Sequence, residues 1–148
     1  MTRFVVDASV AVKWYLPEEH SDCAARLCRS GAVLEAPDLL HGEIGNVLWK
    51  RVRRRELTRE QAGEIIAALS LMPIEIYPSR QLAAAALQIA CEINLTVYDC
   101  LYLAMAMLTG SRLVTADRRL FESAHAAAPL KDQVLWVGDI REAIRGAS

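Results

Sequence analysis

The sequence predicts an α/β sandwich in which a mostly parallel sheet lies between helices. Five short apolar runs of the kind that form buried parallel strands are spread along the chain. Segments of helical period separate them, and no internal repeat, low-complexity tract or linker breaks the alternation. At 148 residues the chain is long enough to bury a sizeable core without staples, so one domain over 1–148 is expected.

The first strand is Phe4-Val5-Val6, followed by helices over Ala8 to Leu16 and Ser21 to Ser30. Val33-Leu34 is the second strand. The helix after it, Leu39 to Glu56, carries Leu39, Leu40, Ile44, Val47 and Leu48 as an apolar stripe. Thr58 before Arg59-Glu60-Gln61 has the spacing of a capping box. A helix over Arg59 to Leu71 therefore starts there and makes a hairpin with its predecessor around Leu57. Ile74-Glu75-Ile76 is the third strand, with helices over Ser79 to Ile93 and Asp99 to Thr109. Leu113-Val114 and Val134-Leu135-Trp136 complete the sheet, each followed by a helix, Arg118 to Ala127 and Asp139 to Arg145.

Composition narrows the function. A formal net charge of -1 and a pI of about 6.3 exclude a globally basic nucleic-acid clamp, so any RNA affinity must come from local patches. Cys23, Cys28, Cys91 and Cys100 contain no C-x-x-C pair, and His20, His41 and His125 are not spaced to complete a zinc site with them; reduced, mostly buried thiols are expected. The segment after Phe4 is no secretory apolar region and Leu101 to Leu108 is too short to span a bilayer, so a soluble, cytoplasmic protein without a membrane partner is expected.

Four carboxylates, Asp7, Glu43, Asp99 and Asp117, lie far apart in the chain but within or beside apolar segments. Packing those segments gathers the acids. Clustered, partly buried carboxylates repel one another, and divalent cations relieve that repulsion. Asp7 and Asp117 each follow a strand, where open parallel sheets place their ligand sites. Three of the acids have a second reading as helix N-caps. Glu43 does not, because it lies beside the apolar stripe of its helix. The residue types suit Mg²⁺ or Mn²⁺, which take oxygen ligands and keep several waters. Thr115, two residues before Asp117, is assigned to orient a carboxylate or water; Ser9 and Asn46 fit the same role or simple local hydrogen bonding.

The run Phe4-Val5-Val6-Asp7-Ala8-Ser9, the Glu43 helix, the run Tyr98-Asp99-Cys100-Leu101-Tyr102-Leu103-Ala104 and the Thr115-Ala116-Asp117 turn together resemble a PIN domain, in the family's order and over nearly the whole chain. The nearest subgroup is the VapC-type toxins of bacterial toxin–antitoxin pairs. The resemblance implies a three-layer α/β/α sandwich around a central, mostly parallel five-stranded sheet. It also implies a Mg²⁺- or Mn²⁺-dependent endoribonuclease giving a 5′-phosphate and a 3′-hydroxyl, a homodimer, and a VapB-type antitoxin that blocks the active-site groove. By position, Asp7, Glu43, Asp99 and Asp117 become the catalytic, metal-binding quartet and Thr115 its polar companion. Some family members carry a further acid just after the last Asp; here Arg118 and Arg119 stand there, which disfavours tight binding of a second metal before a phosphate arrives.

The run Lys50-Arg51-Val52-Arg53-Arg54-Arg55 suits RNA phosphates or an acidic partner, or simply a solvated helix C-terminus. Trp14, Tyr15, Trp49, Tyr98 and Tyr102 are read as core or interface. The competing function is an RNA- or protein-binding module that kept the fold after losing chemistry, but none of the four acids is missing. Dinucleotide binding fails for want of a Gly-rich turn after the first strand.

Overall fold

The computed structural model describes residues 1–146, so the expected domain span of 1–148 runs past the described residues. The strands are β1 Arg3–Val6, β2 Val33–Pro37, β3 Ile74–Tyr77, β4 Arg112–Thr115 and β5 Val134–Trp136, and every apolar run named above lies in one. They form one sheet in the order β3-β2-β1-β4-β5, and all four neighbouring pairs are parallel. Going along the chain, β1, β2 and β3 are added in one direction and β4 and β5 in the other, so strand order reverses between β1 and β4.

The helices are α1 Ala8–Ala11, α2 Ser21–Cys28, α3 Leu39–Arg53, α4 Arg59–Ser70, α5 Ala83–Ile93, α6 Val97–Thr109, α7 Arg118–Ala126 and α8 Ile140–Arg145. They cover both faces of the sheet. Val5 and Leu113 pack among residues of α3, α5, α6 and α7, whereas Phe4, Val6 and Val114 pack among residues of α2 and α8. The alternation along β1 thus feeds two cores, and Phe4, Val5 and Val6 are all buried.

Several helix ends differ from the sequence expectation, each for a local reason. The first helix ends at Ala11 and tightens into a 3₁₀ turn over Val12–Trp14, and Pro17, which disfavours helical backbone at Leu16, stops it from running on. α3 stops at Arg53. Arg55 takes a left-handed φ of 60°, its N–H donates to the Val52 carbonyl and that of Glu56 to the Arg51 carbonyl, a Schellman stop. The expected capping box at Thr58 and Gln61 is present in both directions, at 3.1 and 2.9 Å. The helix expected from Asp99 begins at Val97, because the Thr96 hydroxyl caps it by accepting from the Asp99 N–H at 3.2 Å. The helix expected from Ser79 starts instead as a 3₁₀ turn, with Ser79 bonded to Asp38 through its N–H and hydroxyl, and becomes α5 at Ala83.

No single helix among the described residues is long and apolar enough to cross a membrane; the chain turns by 114° between α5 and α6, and most of α6 is buried. All four cysteines are free. Cys23 and Cys100 are buried, but Cys28 and Cys91 are exposed, correcting the expectation of mostly buried thiols.

Candidate active site

The parallel register pairs Val6 with Val114, and the next residues, Asp7 and Thr115, meet at the carboxyl ends of β1 and β4. Asp7 Oδ2 accepts the Thr115 hydroxyl at 2.5 Å; Oδ1 accepts the Ser9 hydroxyl at 2.5 Å and the Val10 N–H at 3.2 Å. Asp7 therefore does cap α1, but its role does not end there. A carboxylate has about four lone-pair directions, and three are taken here, leaving one at Oδ2 for a ligand. Ser9 and Thr115 also brace the β4 turn: Ser9 Oγ accepts from the Ala116 N–H and Thr115 Oγ1 from the Asp117 N–H, both at 3.0 Å. Asp117 caps α7 through the Leu120 N–H at 3.2 Å, and its side chain remains accessible.

Glu43 projects from α3 and accepts the Tyr102 hydroxyl at 2.5 Å. Asp99 is in the first turn of α6, where Thr96 already does the capping, so the N-cap reading fails for Asp99 alone among the three. Asp99 and Tyr102 are three residues apart and share a helix face, so α6 delivers an acid and the hydroxyl that holds Glu43.

Electrostatics ties the acids together. Burial, with a smaller push from Asp117, raises the Asp7 carboxyl to about 6 against the pull of the Ser9, Thr115 and Val10 hydrogen bonds. Burial also raises Glu43, opposed by the Tyr102 bond and reinforced by Asp99, and raises Asp99, where Asp117 adds to the rise while Thr96 and Arg119 oppose it. The Tyr102 phenol is pushed far up by burial and by Glu43, Asp7 and Asp99, so it remains a donor at any physiological pH.

The residues available to a cation are all hard oxygen donors. Among the described residues, however, no three His, Cys, Asp or Glu side chains are grouped closely enough to hold one ion together. This arrangement fits a water-rich Mg²⁺ or Mn²⁺ touched by one or two carboxylates and does not fit a closed carboxylate cage. A cavity of about 530 Å³, lined by Arg26, Arg29, Arg141 and Arg145 among others, contains none of the four acids.

The sequence model of the PIN domain matches residues 4–126, a span from β1 through α7 that includes all four acids and Thr115. The chain belongs to the PIN family. Ribonuclease VapC3 of Pyrobaculum aerophilum is 34% identical over 122 residues, covering 81% of this chain and 93% of that protein. Ribonuclease VapC1 of Mycobacterium tuberculosis is 34% identical over 130 residues, covering 87% and 92%. The crystal structure of PAE2754 from Pyrobaculum aerophilum superposes with a TM-score of 0.73 at 25% identity, covering 98% of this chain and 90% of that one. A toxin–antitoxin complex from Klebsiella pneumoniae shares the fold at a TM-score of 0.61 and 16% identity, covering 88% and 94%. The resemblance to PIN domains and to VapC proteins is thus borne out.

Two features of this PIN site were not foreseen. Tyr102, read as a core aromatic, is buried but places its hydroxyl on Glu43; its spacing of three from Asp99 was the available signal. Arg118 and Arg119 differ from each other: Arg118 stacks over Trp136 at 4.1 Å, while Arg119 offsets the charge around Asp99.

Proposed function

We propose that the protein is a Mg²⁺- or Mn²⁺-dependent endoribonuclease and the toxin of a type II toxin–antitoxin pair. The observation that supports this reading is the electrostatic coupling of Asp117 with Asp7 and Asp99, and of Asp99 with Glu43, beside the carboxyl ends of β1 and β4, where strand order reverses and open parallel sheets bind their ligands. Burial raises three of these acids, a state that a bound cation would relieve. The VapC ribonucleases at 34% identity support the same reaction class.

When bound, a cation of this class acidifies a water and neutralises charge on the phosphate. The chain's own residues position the ligands. Thr115, Ser9 and the Val10 N–H fix Asp7 with one lone pair free, and the Tyr102 hydroxyl fixes Glu43. Arg119 supplies fixed positive charge near Asp99 in the stretch where some relatives carry a further acid. A VapB-type antitoxin and a second copy of the chain are the proposed partners, and exposed Leu87, Met107 and Leu108 on α5 and α6 offer apolar surface for association.

RNA cleavage by the purified, partner-free protein is expected to need Mg²⁺ or Mn²⁺ and to stop in EDTA, leaving 5′-phosphate and 3′-hydroxyl ends. Activity that persists in excess EDTA would overturn the metal mechanism. The alternative, a catalytically weak RNA- or protein-binding module, draws on the open spacing of the acids and requires that no cleavage appear even with Mn²⁺.

A further inference from the structure

On α3 the positions Glu43, Asn46, Val47 and Lys50 recur at helical spacing, so one stripe runs outward from the acids for about 10 Å along the helix. Facing it is the first turn of α6, where Tyr98 precedes Asp99. Between them lies a cavity of about 430 Å³ lined by Ala8, Leu39, Glu43, Asn46, Lys50 and Tyr98 among others. Ala8 adjoins Asp7 in the chain and Glu43 belongs to the acid cluster, so the cavity opens directly beside the candidate active site.

Tyr98 is 63% exposed, although Tyr102 on the same helix is buried. Its hydroxyl, the Asn46 amide and the Lys50 ammonium have no hydrogen-bond or ion-pair partner among the described residues. The rest of the basic run is differently employed. Arg51 is tied to Glu18 at 2.6 Å and Glu56 at 3.2 Å, and Arg53 lies over Trp49 at 4.8 Å beside a separate α3–α4 cavity. Lys50 is the cation of that run that lines the cavity beside Glu43.

An open aromatic face over an apolar floor of Ala8, Leu39 and Val47, with an amide and an ammonium at its rim, suits a flat heterocycle joined to an anion. We infer that this cavity binds the nucleotide beside the scissile phosphate of single-stranded RNA, with the base against Tyr98, its edge toward Asn46 and a phosphate on Lys50. The inference rests on the ribonuclease reading. A paired base hides its faces within the helix stack, so Tyr98 selects unpaired segments. An acidic peptide is the poorer occupant, because Glu43 lines the same cavity and repels its carboxylates.

The test uses the full chain, short fluorescent oligouridine and oligoadenylate, the corresponding duplex and a glutamate-rich peptide. Binding is measured in EDTA and cleavage in Mn²⁺. Tyr98→Ala is expected to weaken single-strand binding roughly 5- to 100-fold and to raise KM far more than it lowers kcat, while Tyr98→Phe restores both. Lys50→Gln should flatten the dependence of log affinity on log salt by about 0.7. Duplex RNA is expected to bind equally to wild type and Tyr98→Ala. If Tyr98→Ala, shown to be folded by its melting curve, cleaves and binds RNA as wild type does, the subsite is wrong and the ribonuclease reading stands. Tyr98-dependent binding of the peptide but not of RNA makes this a protein-docking groove and overturns the subsite. If the wild type neither binds nor cleaves any RNA in Mn²⁺, both readings fall.

Discussion

Asp7 directly follows β1 and Glu35 lies in β2, the neighbouring strand, and their exposures are 5% and 0%. Glu35 is answered by a base: it accepts from Arg3 at 3.2 Å and from the Ser111 hydroxyl at 3.0 Å. Arg3 also holds Glu75 at 2.8 Å. Since Glu35 and Glu75 face each other in the register, Arg3 offsets a cross-strand repulsion that would otherwise weaken the sheet. Asp7 has hydroxyls, one backbone N–H and another acid around it, and no Lys or Arg ion pair among the described residues. Burial therefore does not separate the candidate site acid from the structural one; the sign of their neighbours does. One carboxylate completes its electrostatics within the chain, and the other is the one to which the proposed function assigns a cation.

The sharpest way to break this comparison is to neutralise both acids in turn. Asp7→Asn is expected to lower RNA cleavage by orders of magnitude, whereas Glu35→Gln keeps turnover per folded molecule near wild type. Equal losses in initial rate would mean that the two acids do not differ in kind. Next come the groups that hold the acids. Thr115→Val and Tyr102→Phe, measured by cleavage rate against Mn²⁺ concentration, should each lower activity or metal affinity roughly 10- to 100-fold. A matching Ser111→Ala change beside Glu35 should leave both untouched.

Stability separates the pair in the opposite direction. The folded protein holds the Asp7 proton up to about 6, whereas an unfolded Asp releases it near 3.8, so stability falls as pH rises through that window. Above it the ionised group costs on the order of 3 kcal/mol. In EDTA at mildly alkaline pH, Asp7→Asn is expected to melt above wild type, with the difference gone by about pH 4. Glu35→Gln should melt below wild type, because Arg3 loses its buried ion-pair partner. Mn²⁺ should raise the melting temperature of wild type and Glu35→Gln alike and that of Asp7→Asn much less. The smallest effect is reserved for the thiols. Burial and Asp99 hold Cys100 up at about 11, so it is no nucleophile at neutral pH, and Cys100→Ser and Cys23→Ser should cleave at the wild-type rate if folded.

What the sequence revealed and what it hid follow the same physics. The apolar runs mark β1 to β5, and the box at Thr58 marks the start of α4, because both are local patterns with one structural solution. The four acids stood out because each sits against apolar neighbours. The start of α6 at Val97 was displaced by Thr96, a single capping residue that outweighs periodicity at a terminus. Glu35 escaped notice inside a strand, since its partner Ser111 is 76 positions away, and the Tyr102 hydroxyl finds Glu43 across 59. Pairings at such range are set by sheet order, which composition does not encode. The basic run resolved only in three dimensions, with Arg51 tied into ion pairs and Lys50 beside the acids.

The Thr115–Asp7 bond spans 108 positions, and that separation orders events during synthesis. A chain emerging from its N-terminus makes β1, β2, β3 and the Glu43 helix before β4 exists. Until β4 docks, one side of β1 is an unpaired edge, and Asp7 has neither Thr115 nor Asp117 beside it. A stalled or truncated product ending before Arg112 carries Asp7, Glu43 and Asp99 but cannot bring them to a finished pocket. If the chain is the ribonuclease proposed above, the message being translated is its nearest substrate, and the late arrival of β4 delays a finished site until most of the chain has been made.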